Sequence, residues 1–318
     1  DALDFEGNAY FREPVLGDNK LYTVDLNEGS HNTTETLSGG LTIEHDFANS
    51  YTLTSVTGAR KDKGFLLFEE DQTSEDALHH HIGSIHRLLT QELRISSPTD
   101  RWYDFVAGIY YLHQGNNKDN ETSIGSDWLP CCVGTGFTDT DVDVESLAAF
   151  FHANFRLSQH LTLFGGARYT DEKKEMTWFQ RSDPASLFGL FGLASGVIDI
   201  IPGSIEATEP SWTVGAQYSF TDDLMAYVNV GTGFKSGAYN VPGSASPADL
   251  FDGLVVDPEF ITNYEVGLKS SWLDNRLRFN AALFYIDYED LQVRTFDPDG
   301  GVNGTGRVRL QNAATVTS

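Results

Sequence analysis

Residues 258–293 read PEFITNYEVGLKSSWLDNRLRFNAALFYIDYEDLQV, and side-chain polarity alternates along most of this stretch. Successive side chains of a β-strand point to opposite faces, so alternation separates an apolar face from a polar one. Leu273, Asp274 and Asn275 interrupt the alternation with residues that favour a turn. The alternate positions that form the mainly apolar face are Phe260, Thr262, Tyr264, Val266, Leu268 and Trp272 before the turn, and Leu277, Phe279, Ala281, Leu283 and Tyr285 after it. The stretch therefore predicts a hairpin of two long strands.

The length of these two arms bears on the fold class. A strand of a globular protein usually has about 5 to 6 residues, and both arms are longer. Long alternating strands with aromatic ends are typical of transmembrane barrels, which are apolar outside and polar within. A soluble β-sandwich also alternates, so the hairpin alone leaves both folds open.

The rest of the chain repeats this pattern with two classes of connection. Short turns are predicted at 48–50, 99–101, 158–160, 221–223 and 273–275, and long loops at 1–30, 61–86, 113–139, 177–209, 236–257 and 300–306. Outer-membrane barrels have short turns on the periplasmic side and long loops outside. Ten steps of ~3.3 Å at a tilt of ~40° span ~25 Å, so residues 147–157 match the height of an outer-membrane apolar band.

These patterns predict an all-β fold, an antiparallel up-and-down transmembrane β-barrel. About eleven strands are expected, which form a partial, open barrel, because bacterial barrels close with even strand numbers. The short turns should all lie at one end, with the loops around Cys131, Phe191, Ser246 and Gly301 at the other. The sheet should be concave on the side that bears Glu265 and Arg168.

Four segments resemble, in the same order, strands of one protein family. They are QELRISSP (91–98), LFGGARYTDE (163–172), YVNVGTGFKSGAYN (227–240) and the hairpin of residues 258–293. They are similar to strands of TonB-dependent outer-membrane receptors. The resemblance implies that residues 1–318 are an internal barrel fragment of such a receptor, without the N-terminal plug and the last strands.

The resemblance also implies a function and partners. A receptor of this family captures a scarce, bulky nutrient in the outer membrane of a Gram-negative bacterium, by default a ferric siderophore. The TonB energy-coupling complex would act through the plug, and outer-membrane lipid and lipopolysaccharide would surround the barrel. Two alternatives stay open, a passive porin and a secreted all-β carbohydrate-binding domain.

Composition and motifs exclude several other classes of function. The formal net charge of −25 disfavours nucleic acid as a partner, because phosphate binding needs Lys and Arg. The chain has no nucleophile elbow, zinc-protease motif, P-loop or dinucleotide-binding glycine pattern, so we expect no enzyme and no cofactor. The triplet His79, His80 and His81 can hold metal or haem iron, but without a second ligand cluster we interpret it as solvated loop histidines.

The adjacent pair Cys131 and Cys132 is too closely spaced for a typical zinc site. The two thiols can bridge each other under strain or reach other parts of the protein, and we interpret them as a loop staple.

Three groups of charged residues are candidates for function. Arg168 and Lys235, near the long loops, are the candidate ligand contacts. Glu92, Arg94, Arg156, Glu265, Lys269 and Arg278 are expected to face the lumen or the plug. The third group is Asp139, Asp141, Asp143 and Glu145, which share the parity of Leu147. They are expected just above the apolar band, where divalent cations can bridge carboxylates to lipopolysaccharide, although a solvated acidic surface is the alternative.

Overall fold

The computed structural model describes residues 26–27, 29–69, 74–127, 133–183, 196–200, 203–240, 255–297, 307–313 and 316–317. All regular secondary structure in these ranges is β. The strands are β1 His31–Asp46, β2 Thr52–Glu69, β3 Leu78–Ser96, β4 Tyr103–Ile124, β5 Gly134–Arg156, β6 Leu161–Ser182, β7 Gly196–Ile200, β8 Ile205–Thr221, β9 Leu224–Lys235, β10 Ala238–Tyr239, β11 Val255–Val256, β12 Glu259–Trp272, β13 Leu277–Glu289, β14 Gln292–Asp297, β15 Arg307–Asn312 and β16 Val316–Thr317.

One antiparallel sheet dominates the structure. Its strand order is β1-β2-β3-β4-β5-β6-β8-β9-β12-β13-β16, and β7 pairs with β6 beside this path. The eleven strands of the path confirm the predicted number and the all-β, up-and-down architecture. Among the described residues, β1 at one edge and β16 at the other are not paired with each other, so the sheet is open, as a partial barrel requires.

The connections alternate as the sequence predicts. Each of the five short turns joins two antiparallel neighbours: β1 to β2, β3 to β4, β5 to β6, β8 to β9, and β12 to β13. Since consecutive strands run in opposite directions, all five turns lie at the same end of the sheet, here called the turn end. The opposite end is called the loop end. The loop-end segments around Cys131 and Cys132, Phe191, Ser246 and Gly301 lie outside the described residues, as do most of residues 1–30.

Several predicted loops are instead strands. β2 and β3 continue through most of residues 61–86, β4 and β5 through most of 113–139, and β6 and β8 extend into 177–209. Within 236–257 the described residues include the two-stranded sheet of β10 and β11. Polar residues on both faces hide such extensions from an alternation pattern, although the backbone still pairs. The 23 residues of β5 span about 75 Å, well beyond an apolar band.

The two faces of the sheet differ in exposure. Leu147 is 56% exposed and Phe151 is 48% exposed, whereas Ala148 on the opposite face is 2% exposed. Buried apolar side chains on the opposite face lie toward the loop end and include Ile124, Val144, Ala148, Met176, Trp178, Ile205 and Ala207. We call the face of Leu147 the outer face and that of Ala148 the inner face. Large exposed apolar side chains on the outer face suit contact with lipid.

Aromatic rings lie over glycines on the inner face. A Cβ atom on Gly215 would be 2.3 Å from Cζ of Phe164, and one on Gly108 would be 2.7 Å from Cζ of Phe150. A Cβ atom on Gly267 would be 2.3 Å from Cε1 of Tyr227. These glycines therefore allow neighbouring rings to lie flat against the backbone of the next strand.

Candidate ligand-binding cavity

The inner face carries a network of charged side chains near the turn end. Arg94 Nη1 donates to Glu92 Oε1 at 2.7 Å. Arg156 donates to the Asp104 carboxylate and, at 2.9 Å, to the carbonyl oxygen of Arg101. These cations are thus held by partners within the wall.

A second inner-face group lies on β9 and β12. The Tyr227 hydroxyl donates to Glu265 Oε1, and Lys269 Nζ lies 5.5 Å from the centroid of the Tyr227 ring. Arg278 on β13 is the register partner of Ser271 on β12, and it also lies on the inner face. Contact of these residues with a plug stays a prediction.

The two candidate ligand contacts are also engaged within the wall. Arg168 Nε donates to Thr170 Oγ1 at 3.1 Å, and Arg168 Cζ lies 5.3 Å from the Tyr110 ring centroid. Lys235 Nζ lies 4.0 Å from Glu259 Oε2. Neither residue lines the cavity described next, and their role in ligand binding stays a prediction.

A cavity of about 520 Å³ lies at the loop end, between β4, β5 and the hairpin of β14 and β15. Its lining includes three cations, Lys118, Arg294 and Arg309, and no carboxylate. The other lining residues are Asn116, Asn120, Asn240, Thr138, Thr140, Tyr239, Val142, Val308 and Leu310. The sign of this lining is opposite to the formal net charge of −25 of the chain. The arrangement suits an anion that also accepts hydrogen bonds from amides and hydroxyls.

This cavity also orients the sheet. Asn116 and Lys118 on β4, and Thr138 and Thr140 on β5, belong to the inner face by their pairing with neighbouring strands. The hairpin of β14 and β15, ten strands further along the chain from β4, contributes to the same cavity. We therefore assign the concave side to the inner face, the side of Glu265 and Arg168, as predicted.

Side-chain amides attach the β14–β15 hairpin to the wall. Asn240 Nδ2 donates to the carbonyl oxygen of Leu310, and the Leu310 amide donates to Asn240 Oδ1, both at 3.2 Å. Gln292 Nε2 donates to the carbonyl oxygens of Ser236 at 3.1 Å and Asp257 at 2.9 Å. These bonds position Arg294 and Arg309, which follow Gln292 and precede Leu310 on the hairpin.

Asn312 completes this attachment. Its Nδ2 donates to the carbonyl oxygens of Asp257 at 3.0 Å and Asp290 at 2.7 Å, and its Oδ1 accepts from the Asp257 amide at 2.9 Å. A side-chain amide at this position therefore satisfies backbone groups on both segments that flank the hairpin base.

Tyr239 closes one side of the cavity. Its hydroxyl lies 2.9 Å from the carbonyl oxygen of Lys174 and 2.6 Å from that of Gly203, and these two acceptors share its single proton. Burial raises the pKa of Tyr239, so the phenol stays neutral at physiological pH. The ring thus adds an uncharged wall beside the cations.

The histidine triplet lies on β3 and not in a solvated loop, so that prediction was wrong. His79 Nε2 lies 2.9 Å from Asp76 Oδ1, and the His80 ring stacks on Phe68 at 5.4 Å between centroids. Within the described ranges, no group of three or more His, Cys, Asp or Glu residues is placed to hold a metal ion. The triplet is engaged in packing at the loop end.

The predicted acidic group lies on the outer face. Asp139, Asp141, Asp143 and Glu145 alternate along β5 and share the face of Leu147. Asn117 Nδ2 donates to Asp141 Oδ1 at 3.0 Å and to Asp139 Oδ1 at 3.2 Å. A contact of these carboxylates with divalent cations or lipopolysaccharide stays a prediction.

Asp76 connects two loop-end segments and gives a testable pH dependence. Its Oδ2 accepts from the Ser126 amide at 3.2 Å, and its own amide donates to Asp127 Oδ2 at 2.9 Å. Hydrogen bonds from His79 and then from the Ser126 amide lower the pKa of Asp76 below its usual 3.8. Because the folded pKa is depressed, this stabilisation is present above pH 3.8 and is lost as the pH falls through the lower folded value.

The substitution Asp76→Asn is expected to raise hydrogen exchange at the Ser126 and Asp127 amides by roughly three- to tenfold at neutral pH. Exchange measured by mass spectrometry on the full receptor checks this. Asp100→Asn, in the short turn before β4, is the control and should leave these amides unchanged. Equal protection in Asp76→Asn and the unaltered protein would show that the carboxylate does not hold the two segments.

Comparison with known proteins identifies the family. The family described as "TonB dependent receptor-like, beta-barrel" matches residues 2–318. The chain belongs to this family. This match confirms the resemblance of the four strand segments to TonB-dependent receptors. Among the described residues, no helix is long and apolar enough to cross a membrane.

The chain is similar to several bacterial receptors. The pesticin receptors of Yersinia enterocolitica and Yersinia pestis are 28% identical over 204 residues, which are 64% of this chain and 27% of each relative. The ferric yersiniabactin uptake receptor FyuA from Yersinia pestis has a TM-score of 0.71 at 20% identity, over 92% of this chain and 40% of that chain. The siderophore receptor PiuA from Acinetobacter baumannii has a TM-score of 0.65 at 15% identity, over 92% and 44%.

The similarities cover only part of each related protein. The chain spans about a quarter of the length of the curated relatives and about two fifths of the solved structures. The structural likeness, at 20% identity or less, shows the barrel fold. The cavity residues were not among the residues singled out from the sequence. They are dispersed between positions 116 and 310, and no local motif joins them.

Proposed function

We propose that this chain is part of the barrel domain of an outer-membrane receptor of a Gram-negative bacterium. Within the family, such a domain surrounds a plug, on which the TonB energy-coupling complex acts. The receptor takes up a scarce, bulky nutrient by active transport, and its ligand is a ferric siderophore. It is a transport protein and not an enzyme.

The cationic lining of the cavity supports the proposal that the ligand is an anionic iron chelate. Lys118, Arg294 and Arg309 line a space of about 520 Å³ without a carboxylate among its lining residues. Many iron chelators bind Fe³⁺ through carboxylate, phenolate or catecholate oxygens, so their complexes are often anionic. Guanidinium groups donate several hydrogen bonds in a planar array that fits such oxygens. The volume lies within the range of small-molecule sites.

Radioactive iron uptake tests this proposal. Cells that carry the full receptor gene, and cells from which it is deleted, receive ⁵⁵Fe bound to a panel of anionic chelators. We expect accumulation only with the gene, and its loss when an uncoupler collapses the inner-membrane gradient. Uptake that continues at the same rate without the gradient supports the passive porin instead. Absence of gene-dependent accumulation for every chelator refutes iron uptake.

A further inference from the structure

A pair of opposite charges on β6 lies in a largely buried part of the inner face. Glu172 and Lys174 are each 20% exposed, and Lys174 Nζ lies 3.3 Å from Glu172 Oε1. Their register partners on the two flanking strands are all buried, and these are Ser146, Val144, Ala207 and Ile205. Charges removed from water need hydrogen-bond partners besides each other, because desolvation offsets much of the attraction within the pair.

The segment directly after β9 supplies these partners. The Ser236 hydroxyl donates to Glu172 Oε1, and Lys174 Nζ donates to the carbonyl oxygen of Gly237 at 2.9 Å. A donor thus meets the carboxylate, and an acceptor meets the ammonium group. A shift of this segment by one residue would break both contacts, so the charged pair fixes the position of the segment along β6. We call Glu172, Lys174, Ser236 and Gly237 the β6 junction.

The backbone is closely surrounded at this junction. A Cβ atom on Gly237 would lie 2.7 Å from the carbonyl oxygen of Val256 and 3.0 Å from Cγ2 of Ile205. The chain therefore passes between β8 and β11 without space for a side chain. The charged pair holds the segment from one direction, and this narrow passage restricts it from the other.

One connection from the junction to the cavity runs along the chain. Tyr239 and Asn240 follow the junction within three residues, and both line the cavity. The carbonyl oxygen of Lys174 lies 2.9 Å from the Tyr239 hydroxyl, so Lys174 contacts this segment a second time. Asn240 in turn exchanges two hydrogen bonds with the backbone of Leu310, which is adjacent to Arg309.

A second connection runs through a side chain of the β14–β15 hairpin. The carbonyl oxygen of Ser236 accepts from Gln292 Nε2 at 3.1 Å, and the Gln292 backbone amide donates to Glu259 Oε2 at 2.9 Å. Gln292 is two positions before Arg294 on the same strand. Each guanidinium group of the cavity is thus connected to the β6 junction through one side-chain amide.

Neither Glu172 nor Lys174 lines the cavity. We propose that they are positioning residues, which fix residues 236–240 and, through them, the guanidinium groups of Arg294 and Arg309. Loss of the charged pair leaves every lining residue in place in the sequence but admits arrangements in which the two guanidinium groups are displaced. The apparent affinity for an anionic chelate then falls with the fraction of receptors in the competent arrangement. This inference rests on the proposed function, since it concerns the same cavity.

A variant with unchanged net charge tests the proposal. The purified full receptor is mixed with the anionic ferric complexes of citrate, salicylate and catechol, and the association and dissociation rates are measured. Glu172→Gln with Lys174→Gln is expected to lower the affinity for the complex that binds by about tenfold, through the association rate. The dissociation rate should stay within about twofold, because the ligand contacts of the competent arrangement are intact. A loss that lies in the dissociation rate would assign the pair to direct ligand contact and overturn the positioning role.

The same strand offers a matched control. Lys173 Nζ and Glu175 Oε1 lie 2.8 Å apart on the outer face of β6 and are more exposed. Lys173→Gln with Glu175→Gln also removes one ion pair without a change in net charge, and it should leave both rates unaltered. Equal losses in the two double variants would overturn the proposal.

A milder substitution tests whether the junction acts as a unit. Ser236→Ala removes only the hydroxyl donor and is expected to weaken chelate binding by about threefold. Combined with Glu172→Gln and Lys174→Gln, it should cause no further loss, because the hydroxyl has then lost its charged acceptor. Losses that multiply fully would show that Ser236 and the charged pair act independently, which contradicts the proposal.

Hydrogen exchange tests the junction without a chelate. The Leu310 amide, which donates to Asn240 Oδ1, should exchange more than tenfold faster in the variant without the charged pair. The Ser126 amide, which is bound by Asp76 elsewhere at the loop end, should exchange as in the unaltered receptor. Unchanged exchange at Leu310, or an equal rise at Ser126, overturns the proposal. Absence of binding for all three ferric complexes counts against the proposed function instead, since the exchange at Leu310 does not depend on a chelate.

Discussion

Replacement of both Arg294 and Arg309 by glutamine is expected to weaken binding of an anionic ferric chelate by about 100-fold. A hydrogen bond to a charged group contributes roughly 1.5–3 kcal/mol, and 1.4 kcal/mol corresponds to a factor of ten in affinity. Both guanidinium groups line the cavity, and the hairpin that bears them is fixed to the wall through Gln292 and Asn240. Their loss therefore removes two preorganised cations while the cavity keeps its shape.

Equilibrium binding of the chelate to the purified full receptor measures this change. The matched control is Lys173→Gln with Arg181→Gln, which alters the net charge equally on the outer face and should retain the affinity. A similar loss in both variants would mean that overall charge, and not the cavity, attracts the ligand. An unchanged affinity in the cavity variant would remove Arg294 and Arg309 from the binding site.

Gly215→Ala is expected to destabilise the barrel by about 1–3 kcal/mol, the typical cost of overpacking a filled site. The added Cβ would lie 2.3 Å from Cζ of Phe164 and 2.6 Å from the carbonyl oxygen of Val228. The aromatic ring can move, but the carbonyl belongs to a paired strand and cannot move without disturbing the register. The strain is therefore not relieved by a change of side-chain rotamer alone.

Urea unfolding of the receptor in lipid vesicles measures the free energy of unfolding. Gly165→Ala is the control for a glycine of the same strand pair, because Gly165 is the register partner of Val214 on the outer face and its Cβ would be 3.4 Å from the Thr213 carbonyl oxygen. That substitution should leave the free energy nearly unchanged. If both variants unfold alike, the contact between Phe164 and Gly215 does not limit the packing of the inner face.

Sequence patterns predict the sheet because two independent signals coincide. The alternation around Leu147 and Phe151 gives the outer face, and the turn residues give the order of the strands. Both signals depend on neighbours in sequence. Beyond the apolar band, alternation fades because both faces meet water or polar groups, so the loop-end halves of β4 and β5 were predicted as loops. Backbone pairing continues there without a hydrophobic pattern.

The cavity illustrates a different limit. Lys118 and Arg309 line one space although 190 positions separate them in the chain. Only the curvature of the sheet and the placement of the hairpin bring them together, and neither has a local signature. Height along the strands indicates Arg168 and Lys235 as ligand contacts, but height does not show that Thr170, Tyr110 and Glu259 engage them.

The strand order of the main sheet follows the chain almost without exception, and this has a consequence for biogenesis. Each strand from β2 to β6 finds its template in the strand synthesised just before it. Such sequence-local pairing keeps the entropy of loop closure small at every step. The wall can therefore grow by successive addition of hairpins in the direction of translation. Among the described residues, the outer edge of β1 has no strand partner, and an open strand edge of this kind is prone to aggregation until it is covered.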